Sequence, residues 1–266
     1  MKKLILFLIL LSSVAYAKIN AIVSILPIQS LVKEIGQDKV NVALMVKPGN
    51  SPHTYAPKPS QMKDISKANL YFAIGVEFEN VWLPKFKNQN KLMKIVDLSQ
   101  DIQKIDIESL HHKKHLHLKK DPHIWTSTNN LKTIAFNIYN ELVKIDAKNK
   151  KFYKINLDKV LIKIKHLDKS IKDILKDIPN NSKFMVFHPA WGYFAAQYHL
   201  KQLPIELEGK SPKPKTLAYI INEAKKQKVK AIFTQPEFSD KIAKTIANQL
   251  HIKVLIELIS HHHLVQ

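Results

Sequence analysis

Short apolar runs alternate with amphipathic stretches along most of this chain. Ile19 to Ile25 reads as a buried strand; Pro27 opens a helix that turns Leu31, Val32 and Ile35 inward and stops at Gly36, and Val40 to Val46 reads as the next strand. The alternation continues with a helix over Pro59 to Lys67, a strand over Leu70 to Ile74 closed by Gly75, a helix near Glu79 to Lys87 and a strand over Met93 to Val96. Strand and helix in strict turn predict an α/β fold whose sheets are mainly parallel and flanked by helices.

Ser127 or Thr128 is placed to cap a helix running to about Ile145. Asp146 then caps a longer helix, over 147–178, in which Val160, Ile164, Leu167, Ile171, Ile174 and Ile178 recur at spacings of three and four. At about 1.5 Å per residue this helix would be roughly 48 Å long, enough to link two lobes. Beyond it the first half's logic repeats. Strands are predicted at Phe184 to Phe187, Leu203 to Leu207, Ala231 to Thr234 and Lys253 to Leu258, with helices starting at Trp191, running to about Gln227, and over Lys241 to Leu250. The predicted plan is two α/β lobes, 18–146 and 179–266, joined by the linking helix at 147–178.

Residues 1–17 stand apart. Met1-Lys2-Lys3, an apolar run from Leu4 to Leu11 and an exit at Ala15-Tyr16-Ala17 predict a secretory signal peptide cleaved after about Ala17. There is no cysteine, so disulfides, thiolate metal sites and lipid attachment at the cleavage site are not expected, and histidine and carboxylates are the available metal ligands. The formal charge is +20, all its cations being lysine, interleaved with apolar residues along the predicted helices. Arginine, the preferred reader of phosphates and guanine edges, is absent, so these charges read as solvated faces and no nucleic-acid partner is expected. The mature chain from Lys18 is expected to be soluble, exported and monomeric.

Three histidines sit in constrained settings: His53 in Ser51-Pro52-His53-Thr54-Tyr55, His123 in Asp121-Pro122-His123-Ile124-Trp125, and His188 in Phe187-His188-Pro189-Ala190-Trp191-Gly192-Tyr193-Phe194. His53 and His188 follow predicted strands, where open α/β sheets place their ligands. Successive members are about 65 to 70 residues apart. This spacing excludes a zinc finger, whose ligands come in close pairs, and calls for a site assembled by the tertiary fold. A loop over 98–120 carries His111, His112, His115 and His117, which reads either as weak metal capture or as a solvated loop.

These three motifs, with the leader, the histidine-rich loop and the long helix, resemble the zinc-binding periplasmic proteins of bacterial ABC-type zinc uptake systems, in the metal-binding solute-binding protein family. The resemblance extends over nearly the whole mature chain and includes Glu208-Gly209-Lys210-Ser211-Pro212 and Gln235-Pro236-Glu237-Phe238-Ser239. It implies that His53, His123 and His188 hold Zn2+ between two lobes, and that the loaded chain delivers it to a membrane permease served by a separate ATPase subunit. Manganese-type relatives carry a carboxylate at the third position, so His188 favours zinc over Mn2+, in keeping with imidazole's borderline-soft character. The family's terminal Asp-Pro-Leu ligand has no counterpart: that neighbourhood reads Glu257-Leu258-Ile259-Ser260-His261, and against the resemblance the C-terminal lobe is expected to be shortened. Water, Glu257 or His261 would complete the tetrahedron. Trp125, Trp191 and Tyr193 would wall the site, and Asp121 would stand behind the ligands. The competing reading is an exported zinc hydrolase using three histidines and an open water position; it has no HExxH motif to support it.

Overall fold

The strands lie where the apolar runs are, in a computed structural model that describes residues 18–52, 54–107, 120–206, 212–235 and 241–256. The expected leader at 1–17 lies outside them. The first lobe contains β1 (Ile19–Val23), α1 (Leu26–Gly36), β2 (Val40–Leu44), α2 (Pro59–Lys67), β3 (Leu70–Ala73), α3 (Glu77–Gln89) and β4 (Lys94–Asp97). All its strand pairs are parallel, in the order β2-β1-β3-β4. Every residue of β3 is buried, as befits a central strand covered on both faces. Against this sheet α1 buries Ile28, Leu31, Val32 and Ile35. A side chain at Gly36 would run into Val40, so glycine lets the end of the helix pack close against the start of the next strand, across the 3-10 turn Gln37–Lys39.

After α4 (Thr128–Ile145) and α5 (Lys150–Leu175), the second lobe contains β5 (Lys183–Val186), α6 (Gly192–Gln197), β6 (Lys201–Pro204), α7 (Pro214–Lys226), β7 (Ala231–Thr234), α8 (Lys241–Leu250) and β8 (Lys253–Ile256). Its order, β6-β5-β7-β8, repeats that of the first sheet, again with parallel pairs. The chain thus reverses direction across the sheet between β1 and β3, and again between β5 and β7. Such switch points leave crevices at the strands' carboxyl ends, where α/β proteins bind ligands. The second core is smaller, built on Met185, Leu203, Ile205, Ile220, Ile232 and Ile246. Among the described residues no helix is long and apolar enough to cross a membrane.

Three details differ from expectation. The linking helix is shorter than 147–178: Ala147–Asn149 is a separate 3-10 turn, and α5 has 26 residues, about 39 Å. Asp146 does not cap α5, because its carboxylate accepts instead from Asn149 Nδ2 at 2.6 Å and the Tyr153 hydroxyl at 2.8 Å. The inward stripe also stops halfway. Tyr153, Leu157, Val160 and Ile164 are buried in the first lobe's core, whereas Ile174 and Ile178 are 76% and 46% exposed, because the helix has by then left that lobe. Ser127 does cap α4, accepting from Asn130 N at 3.2 Å.

A polar cluster fastens the second lobe to this helical pair. Gln197 accepts from Ser127 Oγ at 2.5 Å and donates to Thr128 Oγ1 at 2.5 Å and Asp168 Oδ1 at 3.0 Å. The hydroxyls of Thr128 and Tyr198 also donate to Asp168 Oδ1, each at 2.9 Å. Partial burial would raise the Asp168 carboxyl, but Lys172, Thr128 and Tyr198 outweigh it and hold it at about 2, so the carboxylate stays charged in this cluster. Among the described residues the histidines outside the motifs, His166, His199 and His251, are exposed.

Candidate metal centre

Two of the three motif histidines meet. Their Nε2 atoms lie 3.1 Å apart, with His123 5% and His188 7% exposed. His123 comes from the turn before α4 and His188 from the carboxyl end of β5, so the pair spans the two lobes.

A carboxylate stands behind each ring. Asp121 Oδ1 takes His123 Nδ1 at 2.6 Å and the His123 backbone N–H at 2.8 Å. Glu206 Oε1 takes His188 Nδ1. Glu206 arrives there because the ladder between β5 and β6 runs on past both strands: Ile205 N donates to Val186 O at 2.9 Å and Glu206 N to Phe187 O at 3.0 Å. Both carboxylates are buried, Asp121 at 1% and Glu206 at 5% exposure.

The chemistry follows from the tautomer. Where each Nδ1 proton goes to a carboxylate, both Nε2 lone pairs would face each other across 3.1 Å, an arrangement that suits a cation between them. Two tetrahedral ligands at a Zn–N distance of about 2.0–2.1 Å would be about 3.3–3.4 Å apart. The observed pair is within a few tenths of an ångström of that geometry. The carboxylates behind fix the rings' orientation.

The other expected ligands cannot be placed. His53, His111, His112, His115, His117, Glu257 and His261 all lie outside the described residues, and among the described residues no group of three or more ligating side chains is assembled. The neighbours of His53 are nevertheless held firmly. Pro52 O accepts from Phe78 N at 3.3 Å, and the Tyr55 ring packs edge-on against Phe78 at 5.7 Å.

Of the three aromatic residues expected to wall the site, Trp125 stands edge-on to His123 at 5.3 Å. Trp191 packs against Phe194 at 5.5 Å. Tyr193 has a different role. Its hydroxyl accepts from Ile105 N at 3.3 Å and donates to Asp121 O at 2.9 Å, gripping both strands at the root of the 106–120 segment. That root is closed further by Asp121 N donating to Ile105 O at 2.9 Å, a bridge between Asp106 and Lys120, and their ion pair at 2.8 Å.

Sequence reasoning missed Glu206 and Gly192. The signal for Glu206 is a lone carboxylate inside the run Leu203-Pro204-Ile205-Glu206-Leu207, where a buried charge needs a partner. Gly192 begins α6, and a Cβ there would lie 2.5 Å from Asp121 Oδ2 and 3.2 Å from Ile105 Cδ1. Gly192→Ala should therefore push Asp121 off His123 and weaken metal binding roughly tenfold or more, the usual effect of disturbing a ligand's partner. Calorimetric titration checks this; unchanged affinity would show that Asp121 yields without turning the ring.

The profile of the family described as "ZnuA: Zinc-uptake complex component A periplasmic" matches residues 22–261. The chain is 30% identical over 249 residues to the metal ABC transporter substrate-binding lipoprotein of Lactococcus lactis subsp. lactis (strain IL1403), covering 89% of this chain and 77% of that one. It is also 30% identical over 243 residues to the manganese ABC transporter substrate-binding lipoprotein PsaA of Streptococcus mitis, covering 87% and 76%. Among solved structures, a zinc-bound ZnuA deletion mutant is 36% identical and superposes with a TM-score of 0.84 over 92% of each chain. With two parallel sheets of matching order and buried histidines meeting between them, the chain belongs to the ZnuA family of metal-binding, substrate-binding components of ABC transporters, which are not enzymes.

Proposed function

We propose that this chain captures Zn2+ in the periplasm and hands it to an ABC permease driven by a separate ATPase subunit. The observation that carries this reading is the pair of imidazole Nε2 atoms, 3.1 Å apart and each backed by a buried carboxylate. Nitrogen donors favour zinc, whereas manganese prefers oxygen. In this reading His53 is the third ligand, brought by the loop that follows β2, and water, Glu257 or His261 is the fourth. His111, His112, His115 and His117 act as weak auxiliary sites. The working molecule is a monomer of two lobes, 18–146 and 179–266, made by cleavage of the leader after about Ala17. The named relatives are labelled lipoproteins, whereas this sequence holds no cysteine. The hydrolase reading is set aside with the family assignment.

Competition between the two metals tests the assignment. The purified chain is expected to bind one zinc tightly and to prefer it to manganese by roughly a hundredfold or more. Equal affinities, or a manganese preference, would overturn the zinc assignment and leave a metal carrier of the other type.

A further inference from the structure

A second buried carboxylate has no part in the site described so far. Glu79, on the first turn of α3, is 2% exposed and lies at the carboxyl ends of β1 and β3. Ser24 Oγ, just beyond β1, donates to Glu79 Oε1 and also pairs with the Tyr71 hydroxyl of β3 at 2.9 Å. Ile74 N donates to Oε1 at 3.1 Å and Gly75 N to Oε2 at 2.7 Å. Gly75 has a φ of +91°, a conformation that turns its N–H onto the carboxylate and that other residues rarely adopt. No lysine reaches the group among the described residues. The titratable neighbours acting on it are Tyr71 and Asp97, neither of which brings a positive charge.

Burial, chiefly, raises the Glu79 carboxyl to about 7, in spite of its hydrogen bonds. The two hydroxyls provide for either form. When Glu79 is ionised, Tyr71 donates to Ser24 and Ser24 donates to the carboxylate. When it is protonated, the new O–H donates to Ser24 Oγ, and Ser24 turns to donate to the Tyr71 oxygen. Ser24 keeps a partner on each side in both forms and one proton is stored, while the Tyr71 hydroxyl changes from donor to acceptor. What changes is the strength of the grip on Ile74 and Gly75, since bonds to a carboxylate are about twice as strong as bonds to a neutral acid.

The turn held in this way braces the His53 loop. Phe78, one residue before Glu79, donates to Pro52 O and packs against Tyr55, so the two flanks of His53 rest on the segment that the carboxylate anchors. We propose that Glu79 is a positioning residue for the His53 loop, and that the Ser24 and Tyr71 hydroxyls let it take up a proton in place, so that metal on that loop and a proton on Glu79 oppose each other. This rests on the reading of His53 as a ligand. Its direction is fixed: zinc favours the ionised, firmly gripping form, so binding expels the proton and acid promotes release.

Proton release on zinc binding, measured by calorimetry in buffers of different ionisation enthalpy, tests the idea. The ligand histidines also release protons, so the comparison is between wild type and Glu79→Gln, in which they are unchanged. Near pH 7 wild type should release up to about half a proton more, and its affinity advantage should grow about tenfold between pH 6 and pH 8. Ser24→Ala keeps the carboxylate but removes a bond to its ionised form, so the excess release should peak at a higher pH. Equal proton counts and parallel affinity curves for wild type and Glu79→Gln, with each binding one zinc, would overturn the proposal. Should Glu79→Gln not fold, an unshifted Ser24→Ala profile does the same. If wild type binds no stoichiometric zinc, the functional reading falls and takes this inference with it.

Discussion

Changing His53, His123 and His188 together to Ala should leave a folded chain without its tight zinc site. Structural zinc sites are worth about 10–16 kcal/mol in total, so loss of three ligands should lower affinity by roughly four orders of magnitude or more. Weak binding should persist at His111, His112, His115 and His117 and at the terminal histidines. Calorimetric titration beside wild type reads the result, with circular dichroism to show that both lobes remain folded. If the two proteins bind zinc alike, the three motifs do not form a site, and the family's chemistry is carried elsewhere in this chain.

The second large effect should come from Glu206, which by this argument binds no metal itself. Glu206→Gln keeps an acceptor for the His188 Nδ1 proton but removes the negative charge that makes the ring a stronger donor. Zinc affinity should fall about tenfold. Glu206→Ala should cost more, about a hundredfold, because it also leaves a buried N–H without a partner. Competition with a chromophoric chelator separates the two variants. Should both bind as wild type does, the contact with Glu206 is packing alone.

What the sequence revealed, and what it did not, divides along physical lines. The apolar run at Leu70 became a strand because a strand buried on both faces has no charged residue to blur its limits. Strand ends were less clear. Leu203 to Leu207 was read two residues late, since β6 begins at Lys201, an exposed position where pairing rather than hydrophobicity defines the strand. The stripe through Ile174 and Ile178 had helical spacing but no lobe to pack on, and spacing alone does not report the partner. At the site, the Pro-flanked histidines could be found because constrained loops are visible locally. Their carboxylate partners depend on strand register and on the approach of two lobes, which no local pattern encodes. Asp121 was the exception, being two residues from His123. Ser24 and Glu79 are 55 residues apart and meet only because β1 and β3 are neighbours.

The grip of Tyr193 on Ile105 and Asp121 makes the root of the 106–120 segment a fixed joint on the second lobe. Whatever lies between the two sides of that joint can change length without moving His123, since doubling the length of a connection adds only about 0.6 kcal/mol of closure entropy. The segment is thus a natural port for engineering: a fluorophore, an affinity peptide or a second chelating module inserted between Asp106 and Lys120 should leave the neighbouring histidine pair in place.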